Sequence, residues 1–167
     1  MPVLETEELV RPRVVLNLDT CIECRSCAAA CFYGHNETSV VHFSRVGAAM
    51  LPAMCRQCTD APCLEACPAD AMKKDADGTV YRATFICRGC GSCAWACPFG
   101  MIERDTYDGQ IARCDLCRDR LTGGGTPRCV ENCPTGALQF MTEAEAQARD
   151  LVVLGSRTIG QHPVRRR

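Results

Sequence analysis

The sequence predicts a loop-rich α+β fold in which groups bound to cysteine complete the core. Sixteen of the 167 residues are cysteine, and they lie in four groups separated by segments that resemble short strands and turns. Without cysteine, only about 37% of the chain is apolar, and aromatic residues make up 5%. A chain of this length has little apolar side chain with which to build a core. Folding is therefore expected to depend on what the thiols bind.

One cysteine pattern occurs four times. Groups one and three read C-x2-C-x2-C-x3-C, group two widens the middle gap to four residues, and group four widens it to eleven. In chain order the groups are Cys21, Cys24, Cys27 and Cys31; Cys55, Cys58, Cys63 and Cys67; Cys87, Cys90, Cys93 and Cys97; Cys114, Cys117, Cys129 and Cys133. No cysteine is left over, so the pattern predicts four equivalent binding loops.

The segments between the groups repeat as well. Three groups are followed by CPADAM, CPFGMI and CPTGAL. Residues 71–87 and 101–114 each read as strand, turn and strand, with Asp-Gly turns at 77–78 and 108–109. Residues 13–21 read as a strand that leads into group one. This internal duplication places the cysteines on loops between short strands and short helices.

The flanks differ from the repeated part. Residues 1–12 read as an extended arm. Residues 142–150 begin with a capping-box pattern, Thr142 to Glu145, and predict a helix. Residues 155–167 have no periodicity and are expected to run over a surface.

Composition and chain ends exclude several classes of protein. The chain opens without a secretory signal pattern, and Pro12 splits Arg11 from Arg13, so the twin-arginine pattern is absent. No apolar run reaches the roughly 20 residues of a membrane span. We expect a cytoplasmic location, where thiols serve metals rather than disulfides, although export with a signal-bearing partner stays open. No nucleic-acid partner and no direct membrane insertion are expected, and nothing predicts a nucleophile or a general base.

The spacing favours cubane iron–sulfur clusters. Three cysteines at i, i+3 and i+6 can bind one [4Fe–4S] cluster from one side, and the fourth thiolate must come from elsewhere. In the bacterial C-x2-C-x2-C-x3-C-P run, the fourth cysteine ligates the other cluster of a pair. Groups one and three match this run, although Phe32 stands at the proline position of group one. Four groups predict four clusters in two interlocked pairs, and the spacing allows three pairings.

Zinc is the alternative chemistry. Zinc sites usually offer two cysteine pairs a dozen or more residues apart, with one ion for four thiols. Group four alone fits that description, whereas groups one and three do not. A structural zinc-binding interaction module is therefore kept as an alternative from another class.

Over residues 13–141 the chain resembles the four-cluster, ferredoxin-like electron-transfer subunits of multisubunit oxidoreductases. The resemblance rests on CRQCTDAPCLEACP, on CRGCGSCAWACPFG, and on CDLC followed by CVENCPTGAL. Such subunits serve dimethyl sulfoxide reductase, formate dehydrogenase, tungsten aldehyde oxidoreductase and carbon monoxide dehydrogenase-linked hydrogenase. The resemblance implies an α+β fold of two bacterial-type 2[4Fe–4S] ferredoxin modules in pseudo-twofold arrangement. The outer module would pair 13–50 with 105–141, the inner module would be 51–104, and a helix and tail would follow at 142–167.

Carried over residue by residue, the resemblance implies four ligand sets, which we name sites 1 to 4. Site 1 is Cys21, Cys24, Cys27 and Cys133; site 2 is Cys114, Cys117, Cys129 and Cys31. Site 3 is Cys55, Cys58, Cys63 and Cys97; site 4 is Cys87, Cys90, Cys93 and Cys67. Some relatives lack a group-three cysteine and carry a [3Fe–4S] cluster, but Cys93 is present here. Four [4Fe–4S] clusters are therefore expected.

The resemblance also implies a non-catalytic role. Single electrons would pass through the four clusters between a large catalytic subunit, containing molybdopterin or tungstopterin, and a second electron donor or acceptor protein. A free soluble polyferredoxin carrier without a permanent partner is the alternative.

Several residues near the cysteines carry secondary predictions. Six arginines lie beside ligands: Arg25, Arg56, Arg88, Arg113, Arg118 and Arg128. Four clusters of about −2 each would change the formal net charge from −1 to about −9, so nearby cations would raise cluster potentials. Contact with solvent or with a partner is the equal alternative for these arginines.

The remaining candidates are expected to be structural. The histidines lack paired spacing and are expected at the surface or in packing: His35, His42 and His162. Trp95, between two ligands, is expected to pack. Gly123–Gly125 lie inside the long gap of group four and do not form a P-loop; we expect them to contact an electron partner. Arg165–Arg167 are expected to form a disordered tail.

Overall fold

The structure is a computed structural model that describes residues 12–35, 38–46, 48–105 and 109–154, with the backbone alone at 46 and 152–154. The predicted arm, apart from Pro12, and the predicted tail with His162 and Arg165–Arg167 lie outside these residues. Within the described ranges, no helix is long and apolar enough to cross a membrane.

The described residues form nine short strands and six short helices. In chain order these are β1 Pro12–Leu16, α1 Ser26–Gly34, β2 His42–Val46, β3 Ala49–Ala53, α2 Pro62–Glu65, β4 Met72–Lys74, β5 Val80–Arg82, α3 Ser92–Ala96, β6 Ile102–Arg104, β7 Ile111–Arg113, α4 Arg118–Leu121, α5 Arg128–Glu131, β8 Leu138–Thr142, α6 Glu143–Ala148 and β9 Val152–Leu154. Small helices, short strands and long loops agree with the predicted loop-rich α+β class.

A three-stranded antiparallel sheet in the order β8–β1–β9 joins the two ends of the described chain. β1 is the predicted strand, but it ends at Leu16 rather than at residue 21. The Asn17 side chain accepts a hydrogen bond from the Asp19 amide at 3.0 Å, and such a turn ends a strand. β9 was not predicted, because three residues are too few to show a period of two.

Three two-stranded hairpins carry the segments between the groups. The predicted hairpins are β4–β5 and β6–β7, and the turn glycines Gly78 and Gly109 have φ of +80° and +63°. The third hairpin, β2–β3, was not predicted. Pro52 lies within β3, and a proline removes a ladder hydrogen bond and weakens the strand signal.

Proline decides where the helices of the cysteine groups end. Three of these helices end one or two residues before the cysteine that precedes proline, since the residue before proline is disfavoured in the α region. α3, for example, ends at Ala96, and Cys97 is already extended with ψ of 109°. Group one has Phe32 instead of proline, and α1 continues through Cys31 to Gly34.

Two apolar cores form around the cysteines. The larger core combines β1 and β8 with thiols of groups one and four, including Cys27, Cys31 and Cys129. The smaller core combines the hairpin residues Met72, Val80, Ile102 and Ile111 with thiols of groups two and three. α1 packs against α5, and α2 packs against α3. Cysteine side chains are therefore part of both cores, as the composition predicts.

The C-terminal helix is confirmed but is shorter than predicted. α6 spans Glu143–Ala148 rather than 142–150, with a complete capping box between Thr142 and Glu145. Its buried Ala146 contacts Val15 and Leu151 in a small third core.

Trp95 corrects a prediction. Its side chain is 91% exposed and does not pack. Cys93, two residues earlier in α3, is buried, and residues two apart on a helix point in nearly opposite directions.

Candidate metal centres

The same strained backbone conformation occurs in all four cysteine loops. The residue before the second cysteine of each group has a positive φ: Glu23 at 57°, Gln57 at 46°, Gly89 at 64° and Leu116 at 60°. A non-glycine residue in this region costs roughly 1–3 kcal/mol and persists where the surroundings require it. Only Gly89 carries a sequence signal for this turn. The repetition indicates that the four loops serve one common purpose.

The repeated Cys-Pro segments form a second shared turn. Its third residue after cysteine has a positive φ: Asp70 at 49°, Gly100 at 64° and Gly136 at 64°. The turn directs a backbone amide at the last thiol of groups two, three and four. The donors and acceptors are Ala71 to Cys67 Sγ at 3.2 Å, Met101 to Cys97 Sγ at 3.4 Å and Leu138 to Cys133 Sγ at 3.4 Å. Amide hydrogen bonds to sulfur stabilise a thiolate.

Three cavities of similar size lie among the cysteines. Their empty volumes, including the parts open to solvent, are about 370, 340 and 350 Å³. The first is lined by Cys21, Cys24, Cys27 and Cys133, the second by Cys55, Cys58, Cys63 and Cys97, and the third by Cys31, Cys114, Cys117 and Cys129. Each cavity thus brings together the four cysteines expected for one site.

Electrostatics relate the cysteines of site 4 to one another. The pKa of Cys93 is raised mainly by burial and further by thiolate charge at Cys67 and Cys87. Cys90 is exposed and accepts a hydrogen bond from the Ser92 hydroxyl, which lowers its pKa.

Burial makes several thiols weak acids. It raises the pKa of Cys27 to about 11 and that of Cys129 to about 12, and it raises the pKa of Cys114 well above its usual range. A metal that binds these sulfurs must displace their protons, so metal binding and folding are coupled here.

Cys117 is the opposite case among the buried thiols. Burial alone would raise its pKa, but hydrogen bonds from His35 and from Arg128 outweigh burial and lower it. The His35 Nε2 atom lies 3.4 Å from Cys117 Sγ, and the Arg128 amide lies 3.5 Å away. His35 was expected at the surface or in packing, and its contact with a predicted ligand was missed.

The six arginines divide into different roles. Arg113 is buried, and its Nη2 and Nη1 atoms lie 3.0 Å from Cys55 Sγ and 3.8 Å from Cys63 Sγ. Arg128 binds Asp119 through both guanidinium nitrogens. The guanidiniums of Arg56 and Arg25 lie over the rings of Phe99 and Phe43. Arg88 is exposed. The proposed cation beside sulfur therefore fits Arg113 best.

Gln57 is a positioning residue that sequence reasoning missed. Its side chain is 1% exposed. The Nε2 atom donates to the Cys114 carbonyl at 2.8 Å, and the Oε1 atom accepts from the Val80 amide at 2.8 Å. One side chain thus links the loop of group two to group four and to β5.

Neighbouring sites adjoin in numerical order. The pKa of Cys129 in site 2 is raised first by burial and also by thiolate charge at Cys27 of site 1. The pKa of Cys114 in site 2 is raised first by burial and then by Cys55 of site 3. Sites 3 and 4 share α2 and α3, whose thiols lie in one core. Thiolate charge thus links site 1 to site 2 and site 2 to site 3, and a shared core links site 3 to site 4; we call this succession of thiol sets the row.

The donor set fits a multi-atom cluster better than a single ion. A zinc ion holds its four sulfurs at about 2.3 Å, whereas here four cysteines line the wall of each of three cavities. Within the described ranges, no three His, Cys, Asp or Glu side chains converge tightly enough to bind one ion. Apolar residues such as Phe43, Met50 and Pro52 complete the walls, as suits a cluster whose potential depends on burial.

Comparison with known proteins identifies the family. A family model described as a 4Fe-4S dicluster domain matches residues 46–143. YsaA of Escherichia coli (strain K12), provisionally named for electron transport, is 35% identical over 83% of this chain and 94% of its own length.

Two further relatives, both from Escherichia coli (strain K12), are named as parts of oxidoreductases. A subunit of anaerobic dimethyl sulfoxide reductase is 34% identical over 72% of this chain and 68% of its own length. The iron–sulfur subunit of nitrate-inducible formate dehydrogenase is 32% identical over 78% of this chain, which spans about half of that subunit (54%). The chain belongs to the family of 4Fe-4S dicluster domain proteins.

Proposed function

We propose that the chain is a non-catalytic electron-transfer subunit that carries four [4Fe–4S] clusters at sites 1 to 4. The observation that carries the proposal is the row of thiol sets with exposed ends. All sixteen cysteines are described, and the two exposed ones, Cys24 and Cys90, belong to sites 1 and 4. Such a row would pass single electrons from one surface of the chain to another.

The chain's own residues would bind, insulate and tune the clusters. Each cluster, when bound, supplies one-electron redox chemistry, and the protein sets its potential through burial and hydrogen bonds to sulfur. The amides of Ala71, Met101 and Leu138 donate to sulfur. The hydroxyls of Ser26 and Ser92 lie within 3.4 Å of the exposed thiols Cys24 and Cys90.

Two ferredoxin-type modules are part of the proposal. We assign 13–50 with 105–141 to an outer module and 51–104 to an inner module, followed by the helix and tail at 142–167. The packing of α1 on α5 and of α2 on α3 supports this pairing of segments, although Met54 lies in the larger core and Ile111 in the smaller one, so both cores cross these bounds.

The relatives indicate the class of partner. The dimethyl sulfoxide reductase subunit and the formate dehydrogenase iron–sulfur subunit are named as parts of larger enzymes. We propose a large molybdopterin or tungstopterin subunit at one end of the row and a second redox protein at the other. We propose a cytoplasmic location, where thiols are available for metals, with export on a signal-bearing partner as the alternative.

Anaerobic purification of the chain from the organism that produces it tests both the identity of the cofactor and the presence of a partner. The proposal predicts a brown protein whose reduced form gives electron paramagnetic resonance of up to four spins per chain, copurifying with a large subunit at fixed stoichiometry. A brown chain without a companion would favour the free polyferredoxin carrier. A colourless zinc protein would overturn the proposal.

A further inference from the structure

Arg113, the last residue of β7, is buried beside the cysteines of site 3. Its residue exposure is 8%, and Arg13 is the other buried charged residue among those described. The guanidinium faces the site 3 cavity. Its Nη2 atom donates to Cys55 Sγ at 3.0 Å, its Nη1 atom lies 3.8 Å from Cys63 Sγ, and its Nε atom donates to the Cys114 carbonyl at 3.4 Å.

The charge of Arg113 is directed at sulfur rather than at a carboxylate. In the part of the chain that the structure describes, none of the ion pairs includes Arg113. Arg128, which also contacts a ligand sulfur at site 2, pairs with Asp119 through both nitrogens. Site 3 therefore has a buried cation whose described partners are thiols and one carbonyl, whereas Arg128 at site 2 is also paired with a carboxylate.

The hairpin repeat provides an internal reference for this arrangement. Arg113 ends β7 opposite Ile102, and Arg82 ends β5 opposite Met72 in the equivalent hairpin. Arg82 is followed by Ala83 and is only half-buried, whereas Arg113 is followed by the ligand Cys114. Within the described residues, no hydrogen bond joins Arg82 to a cysteine sulfur. Of these two equivalent hairpin arginines, Arg113 alone is described in contact with a cysteine sulfur.

A buried positive charge next to thiolates favours whichever redox state carries more negative charge. The interaction is weakly screened, because the guanidinium and both sulfurs are removed from water. Hydrogen bonds to thiolate sulfur act in the same direction. At sites 1 and 4 the described hydrogen-bond partners of sulfur are neutral amides and hydroxyls, so they exert a smaller effect.

We propose that Arg113 raises the reduction potential of site 3 above that of site 4, so that an electron shared between these two sites resides preferentially at site 3. This rests on the proposed function, since it requires clusters at both sites. Site 3 lies inside the row, away from the exposed thiols Cys24 and Cys90. An electron held there is protected from solvent oxidants until a partner is docked at one end.

The test is a redox titration of the anaerobic holoprotein followed by electron paramagnetic resonance. Arg113→Gln removes the charge but keeps hydrogen-bond donors, and Arg113→Lys keeps the charge. Arg82→Gln is the matched control. Each cluster should give one wave in the titration. For Arg113→Gln we expect one of the four waves to shift to lower potential by about 59 mV, which for one electron is about a tenfold change in the reduction equilibrium. Arg113→Lys should shift the same wave less, and Arg82→Gln should shift none.

The order of potentials in the unsubstituted chain gives a second, independent measurement. Cys58→Ser and Cys90→Ser identify the waves of sites 3 and 4 by altering their signals. The wave of site 3 must have the more positive reduction potential of the two. This comparison still tests the proposal if Arg113→Gln does not assemble its clusters. The role of Arg113 alone would be overturned if none of the four waves shifts in Arg113→Gln. It would also be overturned if the reduction potential of the site 3 wave lies below that of the site 4 wave. A chain without iron–sulfur signals would overturn the proposed function as well.

Discussion

Arg118 and Asp75 form an ion pair that joins the long insertion of group four to the hairpin before group three. Arg118 Nε and Nη2 both donate to the Asp75 carboxylate, and the guanidinium lies 4.2 Å from the centre of the Tyr81 ring. The carboxylate raises the pKa of Arg118 further. The insertion is therefore linked to hairpin β4–β5, besides any role toward a partner.

Loss of this ion pair should loosen the hairpin. In Arg118→Gln we expect faster amide hydrogen exchange over both β4–β5 and α4, at a cost below about 1 kcal/mol because the pair is partly exposed. Arg120→Gln is the control, since Arg120 pairs with Glu131 inside group four. Unchanged exchange over β4–β5 in Arg118→Gln would show that the pair does not join the two parts.

Gln57 should be required for assembly of sites 2 and 3. Gln57→Leu leaves the Val80 amide and the Cys114 carbonyl without their partner, and each unpaired buried group costs about 1–3 kcal/mol. We expect less iron per chain and a lower melting temperature than in Gln139→Leu, whose side chain donates only to Gly136 of its own turn. Equal iron content and melting temperature in the two variants would contradict this.

The capping box should hold α6 on the sheet. Thr142 Oγ1 accepts from the Glu145 amide at 3.3 Å, and the Glu145 carboxylate accepts from the Thr142 amide at 3.0 Å. Thr142→Ala should cost about 1 kcal/mol and speed amide exchange in α6 several-fold. Gln147→Ala, on the exposed side of the same helix, should leave exchange unchanged. Similar exchange in both variants would rule out the cap as the main restraint.

The glycine tip of the insertion is the candidate contact for an electron partner. Gly123–Gly125 are exposed, whereas Arg118, Arg120 and Arg128 around them are engaged within the chain. Deleting the three glycines should leave four clusters and slow electron transfer to one partner, measured by stopped-flow absorbance. Transfer that stays unchanged to both partners, or a lost cluster, would assign the tip another role.

The sequence predicted those parts of the structure that a short local pattern specifies. The cysteine spacing, the Asp-Gly turns and the Thr142–Glu145 box are local, and they predicted the loops, two hairpins and the last helix. β9 and β3 were missed because a three-residue strand and a strand with Pro52 give little period-two signal. Trp95 was placed wrongly because a five-residue helix shows no face from which to infer burial.

The contacts that tune the sites were missed for a different reason. Gln57 and His35 each act on a cysteine of group four from a distant part of the sequence. Nothing in the spacing distinguishes Gln57 from its neighbour Arg56, because only the fold brings one side chain to a carbonyl and the other over the ring of Phe99. Arg113 could be selected from six arginines only once its burial was known.

Anaerobic native mass spectrometry with iron and sulfide analysis tests the central claim most directly. Four [4Fe–4S] clusters predict about sixteen irons and about sixteen inorganic sulfides per chain, held by the sixteen cysteines. The mass of the folded chain should exceed that of the polypeptide by those atoms. A chain that carries four zinc ions and no sulfide, or iron and sulfide for only two clusters, would contradict the account.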